Sequence, residues 1–221
     1  MDGSGVAWIV GAYVVGSFPS TWLAARSGRS LEMHEAVQRD VGEADAHLMA
    51  TKHLGWAWGT AAATVDVLKG LLWLLAARRL GSQGDGVLAA TGVAAVAGHA
   101  FPVLARRFAG RGLATSAGVY LVLLPLQMVI AGVLILAGIA LRVGGLASTI
   151  AMASVAPVAA VQGQPGAFVA MAAAIFAMII VRRLEGVRAV IRSGVTPARA
   201  VIYRCLFDAS ASPTSGRRAE R

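Results

Sequence analysis

An aspartate and a lysine stand three residues apart in an otherwise apolar run, Ala63-Thr64-Val65-Asp66-Val67-Leu68-Lys69-Gly70. On a helix that spacing puts both on one face. A lone charge in hydrocarbon costs about 3 kcal/mol or more, so each needs a partner. The pair either locks helix packing as an internal ion pair or belongs to a polar site, and Gly70 lets a second backbone come close. Further on, Gly98-His99-Ala100-Phe101-Pro102 precedes Arg106-Arg107-Phe108-Ala109-Gly110-Arg111-Gly112-Leu113-Ala114-Thr115-Ser116-Ala117-Gly118. A histidine near a helix end caps or packs more often than it catalyses. Gly-Arg-Gly before a Thr-Ser pair is more telling: Gly110 and Gly112 free backbone amides, Arg111 offers a planar fork for phosphate, and a helix start adds its dipole. The plainer alternative is an interfacial turn with a snorkelling arginine. A third island, Gly16-Ser17-Phe18-Pro19-Ser20, breaks an apolar run and would expose Ser17 at depth. Irregular backbone there must line a cavity or be buried by protein, unless Pro19 only kinks a helix.

The elements that must position these islands are membrane spans. The chain has 221 residues, 57% hydrophobic and 14% charged, with a mean hydropathy of +0.68, too little polar surface for a water-soluble globule. Its net charge of +9 is spread over several connections with few aromatics among them, which disfavours a nucleic-acid stripe and suits a membrane face. The single cysteine, Cys205, cannot form an intramolecular disulfide. Apolar runs near the length needed to cross hydrocarbon occupy 6–25, 55–77, 86–105, 112–125, 127–141, 144–162 and 165–181. The fourth and fifth are short and punctuated only by Pro125, so they could form one kinked helix. No cleaved signal peptide is expected. With the amino end outside, the outer loops carry only Arg78 and Arg79, Lys69 lies within a span, and every other Lys or Arg falls inside. That asymmetry predicts an all-α integral membrane protein of seven transmembrane helices, two of them short, amino end out and carboxyl end in. Residues 1–195 form a single polytopic domain with a cytoplasmic loop at 26–53 that holds Glu32, Glu35, Asp40, Glu43 and Asp45. Residues 196–221 form a basic cytoplasmic tail, disordered from Asp208 on for want of apolar area. No internal repeat is evident, and the Ala/Gly richness implies closely packed helices.

In this order and spacing, the islands resemble those of the bacterial acyl-phosphate:glycerol-3-phosphate acyltransferases, the PlsY type, over roughly residues 10–195. The family's Gly-Ser-x-Pro is matched by Gly16-Ser17-Phe18-Pro19, its Asp-x-x-Lys-Gly by Asp66 to Gly70, and its Gly-His-x-Phe-Pro by Gly98 to Pro102. Its Gly-Gly-Lys-Gly-Val-Ala-Thr is approached by Ala109-Gly110-Arg111-Gly112-Leu113-Ala114-Thr115, with arginine for lysine. The resemblance implies transfer of an acyl group from acyl phosphate to a hydroxyl of glycerol 3-phosphate, giving lysophosphatidic acid and phosphate at the cytoplasmic face of the cell membrane. It implies no metal, no cofactor and no covalent acyl-enzyme. His99, Lys69 and Arg111 would be catalytic; Ser17, Lys52, Gly110, Gly112, Thr115, Ser116 and Arg183 would bind the two phosphates; Asp66 and Gly70 would support the site. Partners would be the two substrates and membrane lipid, with no nucleic acid. His99 reads as an orienting hydrogen-bond donor rather than a base, because no carboxylate lies near it in sequence.

Two family motifs are altered. The loop Gly-Ser-Gly-Asn-x-Gly-Ala-x-Asn-x-x-Arg, registered on Leu54-Gly55, falls on Val41 to Met49, with Gly42, Ala44 and Met49 at its serine and asparagines and Lys52 for its arginine. Glu43 and Asp45 now stand among those positions. The final His-x-x-Asn-Ile overlays Arg183-Leu184-Glu185-Gly186-Val187, where Arg183 and Arg188 keep basicity without the amide. Two other functions stay open at this point. One is a catalytically inactive relative of the same fold that binds lipid or a partner. The other is a transporter built on Asp66 and Lys69, against which the chain shows neither inverted halves nor a second intramembrane pair. Acyl-CoA also stays open as donor.

Overall fold

The computed structural model describes residues 3–20, 51, 55–81, 83–103, 109–185, 187–192 and 194–207. Each expected apolar run contains a helix: α1 Gly3–Gly16, α2 Trp56–Arg79, α3 Asp85–Ala100, α4 Leu113–Leu123, α5 Pro125–Ala140, α6 Gly144–Val161 and α7 Gly166–Leu184. Two short helices, α8 Val187–Arg192 and α9 Pro197–Ile202, lead into a π-helical turn at Tyr203–Phe207. There is no strand among the described residues. By length and composition α2, α6 and α7 can cross a membrane, and α1, α4 and α5 are shorter apolar helices.

The helices stop earlier than the apolar runs at two places, and proline is the cause at both. The first run was expected to continue to 25, yet α1 ends at Gly16 before Phe18-Pro19; the third was expected to reach 105, yet α3 ends at Ala100 before Phe101-Pro102. The residue before a proline is driven out of the helical region. Between α4 and α5, Leu124 takes φ −137° and ψ 55°, and Pro125 opens α5, so 112–141 is two helices. The α5–α6 hairpin closes with a Schellman motif: Val143 N–H donates to Gly138 O at 2.8 Å and Arg142 N–H to Ile139 O at 3.1 Å. Arg142 supplies the left-handed residue, φ 60°, at a cost of about 1–2 kcal/mol that a glycine would avoid.

Packing pairs α1 with α3, α2 with α4 and α5 with α6, and α7 bridges α3 and α6. On α1 the usual pattern of a soluble helix is reversed: Gly5, Ala12 and Gly16 face inward while Val6, Val10 and Val14 are exposed. Small residues inside and branched ones outside let backbones meet and leave apolar surface for lipid. A Cβ on Gly98 would lie 2.2 Å from Tyr13 O on α1, and one on Gly118 would lie 2.1 Å from Val67 O on α2. Because those nearest atoms are backbone, only helix separation can relieve the clash. Gly118→Ala is accordingly expected to lower stability by about 1–3 kcal/mol, read as a lower unfolding midpoint in detergent; an unchanged midpoint would contradict the close α2–α4 crossing.

The sequence sets residues from 196 onward apart from the membrane domain, but those up to 207 pack against it. Arg204 is buried, and its Nε donates to Arg183 O at 3.0 Å and its Nη2 to Glu185 O. Thr149 Oγ1 on α6 reaches Leu206 O at 2.9 Å. Apart from Thr51, the loop expected at 26–53, including Lys52, and the tail from Asp208 lie outside the described residues.

Candidate active site

Asp66, only 1% exposed in the middle of α2, is the hub of the polar cluster. Its Oδ1 accepts from Ser20 Oγ at 2.7 Å, lies 2.8 Å from Lys69 Nζ and 3.5 Å from His99 Nδ1. Lys69 Nζ also donates to Phe18 O at 3.0 Å. The break after α1 is thus used twice: it turns a carbonyl toward the ammonium and brings a hydroxyl to the carboxylate. Irregular backbone at that depth is tolerated because α2 satisfies it. A buried charge pair gains stability only when its remaining hydrogen-bonding positions are filled, which Ser20 and Phe18 do.

The ends of α1 and α3 are tied by Tyr13 O–H donating to Phe101 O at 2.7 Å. From there the chain returns at Ala109, and Gly110 N–H donates to His99 O at 3.3 Å. Gly110 sits flush on the imidazole: a Cβ there would lie 1.9 Å from His99 Nε2. His99 is therefore held between the Asp66 carboxylate and the Gly110 backbone. Gly112, at φ 91°, caps α4 in the left-handed region that favours glycine, and offers that helix start no side-chain cap of its own. Arg111, between these glycines, is buried. One turn later Thr115 O faces Gly70, whose added Cβ would lie 2.5 Å from it. Thr115 Oγ1 is buried and makes no hydrogen bond among the described residues.

Of the residues singled out from sequence, Asp66, Lys69, Gly70, His99, Gly110, Gly112 and Thr115 come together here. Ser17 and Ser116 lie close in sequence to the cluster, but their hydroxyls return to their own helices, Ser17 Oγ to Tyr13 O at 2.8 Å and Ser116 Oγ to Gly112 O at 2.7 Å. Arg183 is not brought to it. Its guanidinium is fully buried at the foot of α6, where Nη2 donates to Ser148 Oγ at 2.8 Å and Nη1 to Cys205 O at 3.0 Å and to Thr149 Oγ1. Burial there pushes the Cys205 thiol pKa up, against the pull of Arg183 and Arg204. The neighbour, Arg182, is the one that reaches the glycine segment, with Nε on Gly110 O and Nη2 on Ala109 O, both at 3.2 Å. Sequence reasoning missed Ser20 as a carboxylate partner, although it lies in the same break as Ser17. It also found no carboxylate beside His99, because the one that serves it comes from another helix.

A family model described as glycerol-3-phosphate acyltransferase matches residues 6–193. The chain is 31% identical over 192 residues to a glycerol-3-phosphate acyltransferase of Geotalea daltonii, covering 86% of this chain and 95% of that protein. It is 35% identical over 186 residues to one of Geobacter sulfurreducens, covering 80% and 89%. Among solved structures, it resembles the glycerol 3-phosphate form of PlsY (YgiH), an integral membrane glycerol 3-phosphate acyltransferase, with a TM-score of 0.73 and 31% identity over 86% of this chain and 93% of that one. The lysophosphatidic acid form of PlsY (YgiH) matches with a TM-score of 0.70 and 27% identity, covering 91% and 100%.

Proposed function

The chain belongs to the glycerol-3-phosphate acyltransferase family, and from that membership we infer that this membrane enzyme takes its acyl group from acyl phosphate. The reaction forms a bond between the acyl carbonyl carbon and a hydroxyl oxygen of glycerol 3-phosphate and breaks the bond from that carbon to the phosphate oxygen. The products are lysophosphatidic acid and inorganic phosphate. The observation that carries the site assignment is the convergence of Asp66, Lys69 and His99 with the Gly110–Thr115 helix start.

Both substrates are anionic, so cations and amides do most of the positioning. Arg111 and the uncapped amides of α4 form the phosphate cradle, and the Thr115 hydroxyl is a buried group that a substrate oxygen would satisfy. Lys69 supplies a fixed positive charge for the oxyanion that develops on the attacked carbonyl. His99 has Asp66 on one side and Gly110 on the other, so it is placed to orient the cradle. The proton of that hydroxyl passes to the departing phosphate oxygen, so the phosphate leaves as the hydrogen phosphate dianion and charge balances. No step needs a metal or a cofactor. Lys52, from the loop before α2, would complete the set of phosphate-binding cations, and seven crossings with the amino end out would put the whole site at the cytoplasmic face of the cell membrane.

The donor is tested by giving purified protein in bicelles radiolabelled glycerol 3-phosphate with either acyl phosphate or acyl-CoA. Lysophosphatidic acid is expected from acyl phosphate. Product from acyl-CoA alone would overturn the donor assignment.

A further inference from the structure

Arg182 lies outside every motif by which the site was found, yet its side chain holds two carbonyls of the glycine segment. It reaches over from the end of α7 and donates from Nε to Gly110 O and from Nη2 to Ala109 O, each at 3.2 Å. Its guanidinium carbon sits 5.6 Å from the centre of the Phe101 ring, within cation–π range. Its third nitrogen, Nη1, pairs with Glu185 one turn on. One planar group therefore touches the segment after α3, the segment before α4 and its own helix end.

We propose that Arg182 is a positioning residue that sets the backbone of Ala109–Gly112, and so aims Arg111 and the α4 amides at phosphate. The proposal rests on the cradle reading above. Two adjacent carbonyls held by one fork cannot rotate independently, so the peptide planes between them are fixed. Fixing them holds Gly110 against His99, where its N–H donates to the His99 carbonyl. Glycines on either side of Arg111 leave that stretch with broad conformational freedom, so an outside clamp is needed if the amides are to be preorganised. Lysine cannot replace the fork, since an ammonium is a point donor without two parallel N–H vectors. The Glu185 side chain pairs with Arg182 Nη1, the nitrogen not used on the two carbonyls.

The test uses the full chain in bicelles, as wild type, Arg182→Ala, Arg182→Lys and Glu185→Gln. Hydrogen exchange by mass spectrometry follows the peptide covering 109–112 beside peptides from α2 and α6, and kinetics give kcat and KM for glycerol 3-phosphate. In both Arg182 variants, exchange at 109–112 is expected to quicken by about tenfold or more while α2 and α6 keep their protection. The same variants should lose about 100-fold in kcat/KM, the size of effect that a misplacement near 1 Å produces. Glu185→Gln should keep both near wild type because the two carbonyl bonds remain. Unchanged protection at 109–112 in the variants, or full rescue by lysine, overturns the clamp. Should Arg182→Ala fail to fold, Arg182→Lys, which keeps the charge, decides alone. Wild type that transfers nothing from acyl phosphate would sink the donor assignment instead, and the exchange result would still stand on its own.

Discussion

Replacing Asp66 with alanine is expected to destabilise the protein by about 3–5 kcal/mol, the largest effect of any single side-chain truncation in the bundle. The loss comes less from the pair itself than from what is left behind. Lys69 would keep its buried ammonium with only Phe18 O as a described partner, Ser20 Oγ would lose its acceptor, and His99 Nδ1 would lose its neighbour. The sign of a second substitution separates this account from simple cavity formation. Asp66→Ala with Lys69→Met removes both charges, and replacing a whole buried pair by apolar groups is often neutral. The double variant should therefore recover most of the lost stability while remaining without acyl transfer. Unfolding midpoints in detergent measure the first effect and lysophosphatidic acid formation the second. A single variant that melts within about 0.5 kcal/mol of wild type, the usual range for surface changes, would show that Asp66 is not the hub.

The largest effect on rate is expected at Arg111. Arg111→Ala should reduce acyl transfer by about 100-fold or more, the typical result of removing one oxyanion or phosphate donor from a preorganised site. The reason is position: Arg111 stands between Gly110, seated on His99, and Gly112, which starts α4. Arg111→Lys should keep part of the activity, because the charge remains while the bidentate geometry is lost. The measurement is kcat/KM with acyl phosphate and glycerol 3-phosphate, beside size-exclusion behaviour and unfolding midpoint for each variant. Wild-type turnover in folded Arg111→Ala would remove Arg111 from the cradle.

Much of the scaffold was legible because lipid imposes one rule on every span, a long apolar run closed by glycine, proline or charge. The runs overshot at Phe18-Pro19 and Phe101-Pro102, where hydropathy continues but the backbone cannot. Asp66 and Lys69 were legible as a pair because their spacing is local and helical. The pairings of Asp66 with Ser20 and His99 were not, since each joins residues more than 30 positions apart and no local pattern records such a meeting. Arg182 and Arg183 show the sharpest limit. Adjacent residues on a helix point about 100° apart, and a motif overlay cannot tell which faces the site. The fold sends Arg182 to Gly110 and Arg183 to Ser148 and Thr149.

The turn at Tyr203–Phe207 has a consequence for how the molecule is made. Cys205 O and Leu206 O serve Thr149, Cys205 O also serves Arg183, and Phe207 O fills the space over Gly145, where a Cβ would lie 1.9 Å from it. The foot of α6 thus receives its partners from residues synthesised more than 50 positions later. During translation α6 and α7 must wait, with Arg183 held by Ser148 and Thr149 but lacking the Cys205 carbonyl, until that turn has left the ribosome. Maturation of the enzyme is in this sense timed from its carboxyl side, and a nascent chain ending before Tyr203 would leave Arg183 and Thr149 without the carbonyls of Cys205 and Leu206.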